Sequence, residues 1–172
     1  MIIIILIGMA IIIAGAYMKK DYFVVREIVI NKPKQEVYDY IKFLRNQNEY
    51  SYYNRKDPDT VKSYSGTDAE VGFTYSWSSK VNSVGTGTQT ITKLTEGEEL
   101  VCDIQFTKPL PLKSVASIAL TEISENETKV TWTFSSVYDF PLNIVIYFAN
   151  LEKLIGSDIA SSLVTLKGNL DR

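Results

Sequence analysis

The chain has 172 residues, enough for one compact domain and a small appendage, and its 18 Lys and Arg against 20 Asp and Glu give a formal net charge of −2. That balance excludes a nucleic-acid binder, which needs a basic stripe to offset phosphate charge, whereas here the basic residues are scattered. There is no histidine and only 1 cysteine, Cys102. The imidazole general base, an internal disulfide and a multi-thiolate metal site are therefore out of reach, and no cofactor or metal is expected.

Residues 2–18 form an uncharged, largely apolar run closed by Lys19 and Lys20. As a helix it would extend roughly 25 Å, at the short end of what spans a bilayer core. The reading adopted is an N-terminal transmembrane helix over residues 1–20, with Tyr17 at the interface and the lysines snorkelling, followed by a folded domain over residues 21–172. Lys19, Lys20, Arg26, Lys32 and Lys34 favour the cytoplasmic side for that domain. The rival is export with a cleaved signal peptide: Ala14-Gly15-Ala16 resembles a cleavage site, although no charged segment precedes the apolar stretch.

From Tyr22 to Asn31 the chain reads as a strand, with Val24, Arg26, Ile28 and Ile30 on one face and Phe23, Val25, Glu27 and Val29 on the other. Pro33 is suited to a helix start, and Val37, Ile41 and Leu44 continue at helical spacing, which predicts about three turns. The polar, tyrosine-rich stretch from Asn46 to Asp59 has room for one short helix before Pro58. Strands follow. Thr60 to Tyr64 alternates; Phe73, Tyr75 and Trp77 share a face; and Gly87, Gln89 and Ile91 oppose a row of threonines between Val84 and Leu94. Glu96-Gly97-Glu98 makes a hairpin turn, after which Leu100, Cys102, Ile104 and Phe106 point inward. Pro109 and Pro111 interrupt before Ala116, Ile118 and Leu120 and, beyond Ser124 to Glu127, Val130, Trp132 and Phe134.

After Pro141 the period becomes helical: Phe148, Leu151, Ile155, Ile159, Leu163, Leu166 and Leu170 step by three or four. Gly156 within this helix implies either a close approach by a strand or a bend. The order is strand, helix, short helix, about six antiparallel strands, long helix. A sheet with one apolar face must be covered, and the terminal helix is the only element long enough to cover it. The class is α+β, a strongly curved antiparallel sheet wrapped around that helix, with Gly72, Gly85 and Gly87 allowing the bend.

Several stretches carry a resemblance. Val24 to Pro33 followed by Val37-Tyr38-Asp39-Tyr40, then Asp57-Pro58-Asp59, Tyr64-Ser65-Gly66, Val71-Gly72, Tyr75-Ser76-Trp77 and Gly85-Thr86-Gly87-Thr88-Gln89-Thr90-Ile91, resemble the START-related, Bet v 1-like helix-grip superfamily. The local sequence is similar to its polyketide cyclase/dehydrase and lipid-transport branch, the SRPBCC proteins, over nearly all of residues 22–172. Many relatives also carry an N-terminal hydrophobic helix. Tyr50-Ser51-Tyr52-Tyr53 stands where the family often has tryptophans and a proline. The resemblance implies a helix-grip fold and a cavity for lipids, sterols, polyketides or other apolar ligands, with catalysis in only some members.

Tyr75, Trp77, Gln89, Trp132 and Phe134 are the candidate cavity wall, and a packed core is the alternative for the large aromatics. Gln89, an amide on an inward face, must find a partner: a ligand carbonyl or hydroxyl, or a neighbouring tyrosine. Tyr50, Tyr52, Tyr53 and Asn54 are candidates to rim an entrance, the alternative being a packed surface loop. Cys102 reads as a buried inert thiol, and Glu27 and Glu70 have no spacing that brings them together, so no catalytic residue is assigned. Gly85 and Gly87 lie inside a strand pattern without a following Lys-Ser/Thr, which excludes a phosphate loop. Three functions compete: binding or transport of an apolar small molecule or lipid near a membrane, a cyclase- or dehydratase-like enzyme on an aromatic or polyketide-like substrate, and a membrane-associated protein-interaction module.

Overall fold

The computed structural model describes residues 20–144 and 151–172. The expected membrane segment, 2–18, and Phe148 of the terminal stripe lie outside them. No helix among the described residues is long and apolar enough to cross a membrane.

The first strand, β1 (Asp21–Ile30), has the expected alternation, with Val24 and Ile30 buried and Phe23, Val25 and Val29 exposed. Helix α1 (Lys34–Ile41) follows. Pro33 precedes its first residue, and the Pro33 carbonyl accepts the first helical hydrogen bond, from the Val37 N–H at 3.2 Å. The helix ends sooner than its apolar spacing predicts. Phe43 turns extended, and Leu44 opens a separate 3₁₀ turn over Leu44–Asn46. The cause is tertiary: the Asp68 carboxylate accepts the Leu44 N–H at 2.9 Å and the Arg45 N–H at 3.1 Å. A carboxylate on free N–H groups caps a helix start, so Leu44 begins an element instead of finishing one. The tyrosine-rich stretch likewise holds two single turns, α2 (Gln47–Tyr50) and α3 (Tyr52–Arg55), separated by extended Ser51.

Strands β2 (Val61–Ser65), β3 (Thr74–Ser78), β4 (Thr86–Thr95), β5 (Glu99–Lys108), β6 (Leu112–Ser124) and β7 (Glu127–Val137) complete one seven-stranded antiparallel sheet in the order β1-β7-β6-β5-β4-β3-β2. Every pairing of consecutive strands from β2 to β7 is a hairpin or short connection, and β1 closes against β7 through Val24 opposite Phe134 and Arg26 opposite Trp132. Register shifts in the β4–β5 pair, at Thr86/Gly87 and Ile91/Lys93, are the irregularities that let a sheet bend.

The last described helix, α4 (Leu151–Leu170), packs on the inner face of the sheet. Ile159, Leu163, Leu166 and Leu170 are buried, as the helical stripe predicts. They pack with Val37, Tyr38 and Ile41 of α1 and with Val24, Ile118, Val130 and Trp132 of the sheet. Gly156 resolves as a close approach. A Cβ there would stand 2.0 Å from the Arg26 guanidinium of β1, which crosses the helix to pair with Glu152 at 2.8 Å.

The two ends of the domain differ. At one, Asp171 accepts hydrogen bonds from the Asn31 backbone and side chain, and the main core fills the space between sheet and helix. At the other, around the first residues of β1 and the first turns of α4, the layers part.

Candidate functional site

A cavity of about 410 Å³ occupies that open end. Its wall comes from the inner face of β3 to β7, from α2 and α3, from the first half of α4, and from the connections around residues 82–84 and 108–112. Alternation along the strands delivers the side chains: Tyr75 and Trp77 from β3, Gln89 from β4, Ile104 and Phe106 from β5, Ala116 from β6, and Trp132 and Phe134 from β7. The five residues selected from the sequence thus all reach one space.

The aromatic groups are ordered among themselves. Tyr75 stacks on Trp77 with ring centroids 5.6 Å apart, and Phe106 meets Trp77 edge to face at 5.5 Å. The Trp77 indole N–H donates to the Val84 carbonyl at 3.2 Å, and the Tyr53 hydroxyl donates to the same oxygen. Gly87 makes this possible: a Cβ there would stand 2.7 Å from the Trp77 ring and 2.5 Å from the Gln105 carbonyl oxygen. The indole comes this close to β4 because Gly87, its partner across the strands, has no side chain.

The three tyrosines expected at an entrance separate. Tyr53 lines the cavity. Tyr50 does not rim it: the side chain is fully buried, with its ring edge-on to Trp132 at 6.1 Å. It sits on the last residue of a one-turn helix that faces the core, and burial holds its hydroxyl far above the usual phenol range. Tyr52 points outward; its backbone N–H donates to the Ser162 hydroxyl at 2.9 Å, which pins α3 to α4.

The polar groups of the wall are few. Gln89 is buried on the wall, and burial pushes the Cys102 thiol up to about 12. Asn54 lines the cavity, and its Nδ2 is buried without a hydrogen-bond partner. Asp158 and Ser162 of α4 also face in, and Asp158 is the only acid on the wall among the described residues. Burial raises the Asp158 carboxyl above its ordinary value, and Lys56, also at the wall, pulls it back in part.

Asp158 and Ser162 escaped the sequence reading, yet a signal existed. They fall three and seven residues after Ile155 and so continue the inward stripe as polar members. Lys56 had none, because the loop after a single turn has no period to read; Asn54 stands beside the tyrosines expected at the entrance. Glu27 and Glu70 do not converge: Glu27 is on the outer face, accepting from Thr131 at 2.9 Å, and Glu70 is exposed in the β2–β3 connection. Among the described residues no cluster of three or more metal-ligating side chains exists.

A closed core leaves no such space. A dry void of about 410 Å³ would cost on the order of 10 kcal/mol at the rate measured for engineered cavities. That approaches the whole stability of a typical domain, so the space holds water or a ligand. Its volume falls within the range of small-molecule sites, and apolar walls with a few polar groups are their usual make-up.

No family model matches this chain, and no curated protein does. Solved structures match in fold. Protein CV1439 from Chromobacterium violaceum has a TM-score of 0.62 at 16% identity, covering 87% of this chain and 97% of its own. The solution structure of the Aha1 dimer from Colwellia psychrerythraea has a TM-score of 0.59 at 17% identity, covering 87% and 96%. A hypothetical protein from Helicobacter pylori reaches a TM-score of 0.66 at 8% identity, covering 88% and 89%. At these identities the likeness is one of fold alone. The class is therefore α+β, a seven-stranded antiparallel sheet with a C-terminal helix across it, an arrangement that fits the helix-grip fold.

Proposed function

We propose that this chain is a membrane-anchored SRPBCC-type domain that binds an apolar small molecule or lipid in the cavity beneath α4. The observation that carries the reading is the space itself: about 410 Å³ walled by Tyr75, Trp77, Phe106, Trp132 and Phe134 where a packed core would otherwise be. Gln89, a buried amide on the wall, is suited to hold one polar group of the ligand. Burying the apolar part contributes roughly 25 cal/mol per Å² removed from water. A buried amide without a partner costs about 1–3 kcal/mol, which an acceptor on the ligand would recover.

Both tryptophans of the chain, Trp77 and Trp132, line the cavity, so their emission reads its occupancy. The test is titration of the full chain in mild detergent with a dansylated fatty acid. The expected result is saturable energy transfer from tryptophan to dansyl, reversed by unlabelled fatty acid. Transfer that never saturates, or that the unlabelled acid fails to reverse, would sink the proposal.

One observation favours the enzymatic alternative, a cyclase- or dehydratase-like activity. Asp158 is a carboxyl raised by burial and placed on the wall, the environment a general acid requires. The two readings diverge at Asp158→Asn: an enzyme loses turnover while retaining its substrate, whereas a binder loses nothing beyond a contact at the cavity mouth.

A further inference from the structure

The cavity and Lys20, the first described residue, lie at the same end of the domain. Asp21 pairs with Val137 at the end of β7. One residue on, the Tyr138 N–H donates to the Lys20 carbonyl at 2.9 Å, and Tyr138 is part of the cavity wall. Lys20 therefore stands beside the mouth. At the far end lie the β4–β5 and β6–β7 turns, α1 and the last residues of α4.

The rim of that mouth is apolar and exposed. Leu110, in the β5–β6 connection, and Leu154, in the first turn of α4, both line the cavity and are yet 52% and 56% exposed. Val81 precedes the lining residue Asn82, Phe140 stands between the lining residues Tyr138 and Leu142, and both are exposed. These four come from separate connections and one helix, far apart in sequence. Exposed apolar groups gathered around a cavity mouth mark a contact surface. Lys56 and Lys108 belong to the wall beside them, and exposed Lys80 and Lys153 precede Val81 and Leu154. Val81 and Leu154, each next to a lysine, suit the headgroup layer of a bilayer, where apolar tips enter the acyl boundary and amines stay among the phosphates; Phe140 follows Asp139, which pairs with Lys20 at 3.8 Å.

We infer that the mouth of the cavity docks against the surface of the membrane that holds residues 2–18, with Val81, Leu110, Phe140 and Leu154 immersed in it. The inference rests on the anchor part of the proposed function and not on the identity of the ligand. A domain held this way passes a ligand between bilayer and cavity without exposing it to water.

The experiment places an environment-sensitive nitrobenzoxadiazole label on the full chain at Leu110→Cys, at Leu154→Cys and, as the far-end control, at Glu125→Cys. The native thiol, Cys102, is buried and does not compete for the label. The three variants are reconstituted into phosphatidylcholine and phosphatidylglycerol vesicles, with and without doxyl-labelled lipid, and alkaline carbonate extraction is run in parallel. Docking predicts a blue shift and loss of emission to the doxyl lipid at positions 110 and 154, with neither at 125. Labels at both rim positions as water-exposed as the control, in protein that resists carbonate, would overturn the docking and leave the anchor standing. Release by carbonate would overturn both. The two rim sites lie on different elements, so a local distortion at one does not decide the result.

Discussion

Replacing Ala116 with leucine separates a cavity from a packed core by the sign of its effect. Ala116 is on the inner face of β6, opposite Cys102 and Phe134 on the neighbouring strands, and its side chain borders the cavity. Leucine adds three carbons. If they enter the open space and cover apolar wall, they contribute up to about 2 kcal/mol at ~0.8 kcal/mol per buried methylene. For a chain of this size that corresponds to a rise in melting temperature of about 4–8 °C. In a core already filled, the same carbons would force side chains off their rotamers and cost about 1–3 kcal/mol. Thermal unfolding followed by tryptophan emission reads the sign directly. The same variant should need more dansylated fatty acid to saturate, because the added carbons occupy ligand space. A melting temperature that falls by several degrees, with fatty-acid binding unchanged, would refute the account of the site.

Other consequences are as direct. Gly87→Ala drives a Cβ into the Gln105 carbonyl oxygen and the Trp77 ring; a loss of about 1–3 kcal/mol and a red-shifted tryptophan emission should follow, and an unchanged spectrum would contradict the packing described. The Cys102 thiol, pushed up to about 12 by burial, should ignore a disulfide reagent at pH 8 until denaturant is added; reaction with the native chain at the rate of a free thiol would be decisive against burial. Asp158 has its folded pKa raised, chiefly by burial. The fold thus prefers its protonated form, and the stability from that preference is complete below the ordinary carboxyl value and is lost as pH rises through the folded one. Asp158→Asn should accordingly be more stable than the parent at neutral pH and converge with it in acid. Urea midpoints across pH 3 to 7 measure this, and a variant weaker at pH 7 would reverse the argument.

The local pattern was enough for most of the frame. The alternation of Val24 to Ile30, of Phe73 to Trp77 and of Val130 to Phe134 marked the strands and their inward faces, and the step of Ile155, Ile159, Leu163 and Leu166 marked the helix that covers them. Period two and period 3.6 are imposed by backbone geometry, so they are readable wherever an element is long and has one dry side. The rule fails where a distant group decides. Leu44 continues the spacing of Val37 and Ile41, but Asp68, on a connection 24 residues away, binds its N–H and makes it a beginning. Tyr50, Tyr52 and Tyr53 look alike as a cluster, and only the direction of two one-turn helices sends the first into the core, the second to solvent and the third to the cavity.

By itself, then, the sequence determined the class of fold, the residues turned inward and the absence of imidazole or disulfide chemistry, because composition and periodicity are properties of the chain. Whether the inward residues meet or stand apart is a property of volume. Trp132 and Phe134 alternate identically in a filled core and in a hollow one. The lie of α4 on the sheet, held by Arg26 over Gly156, and the width left between the layers opened the space at one end and closed it at the other.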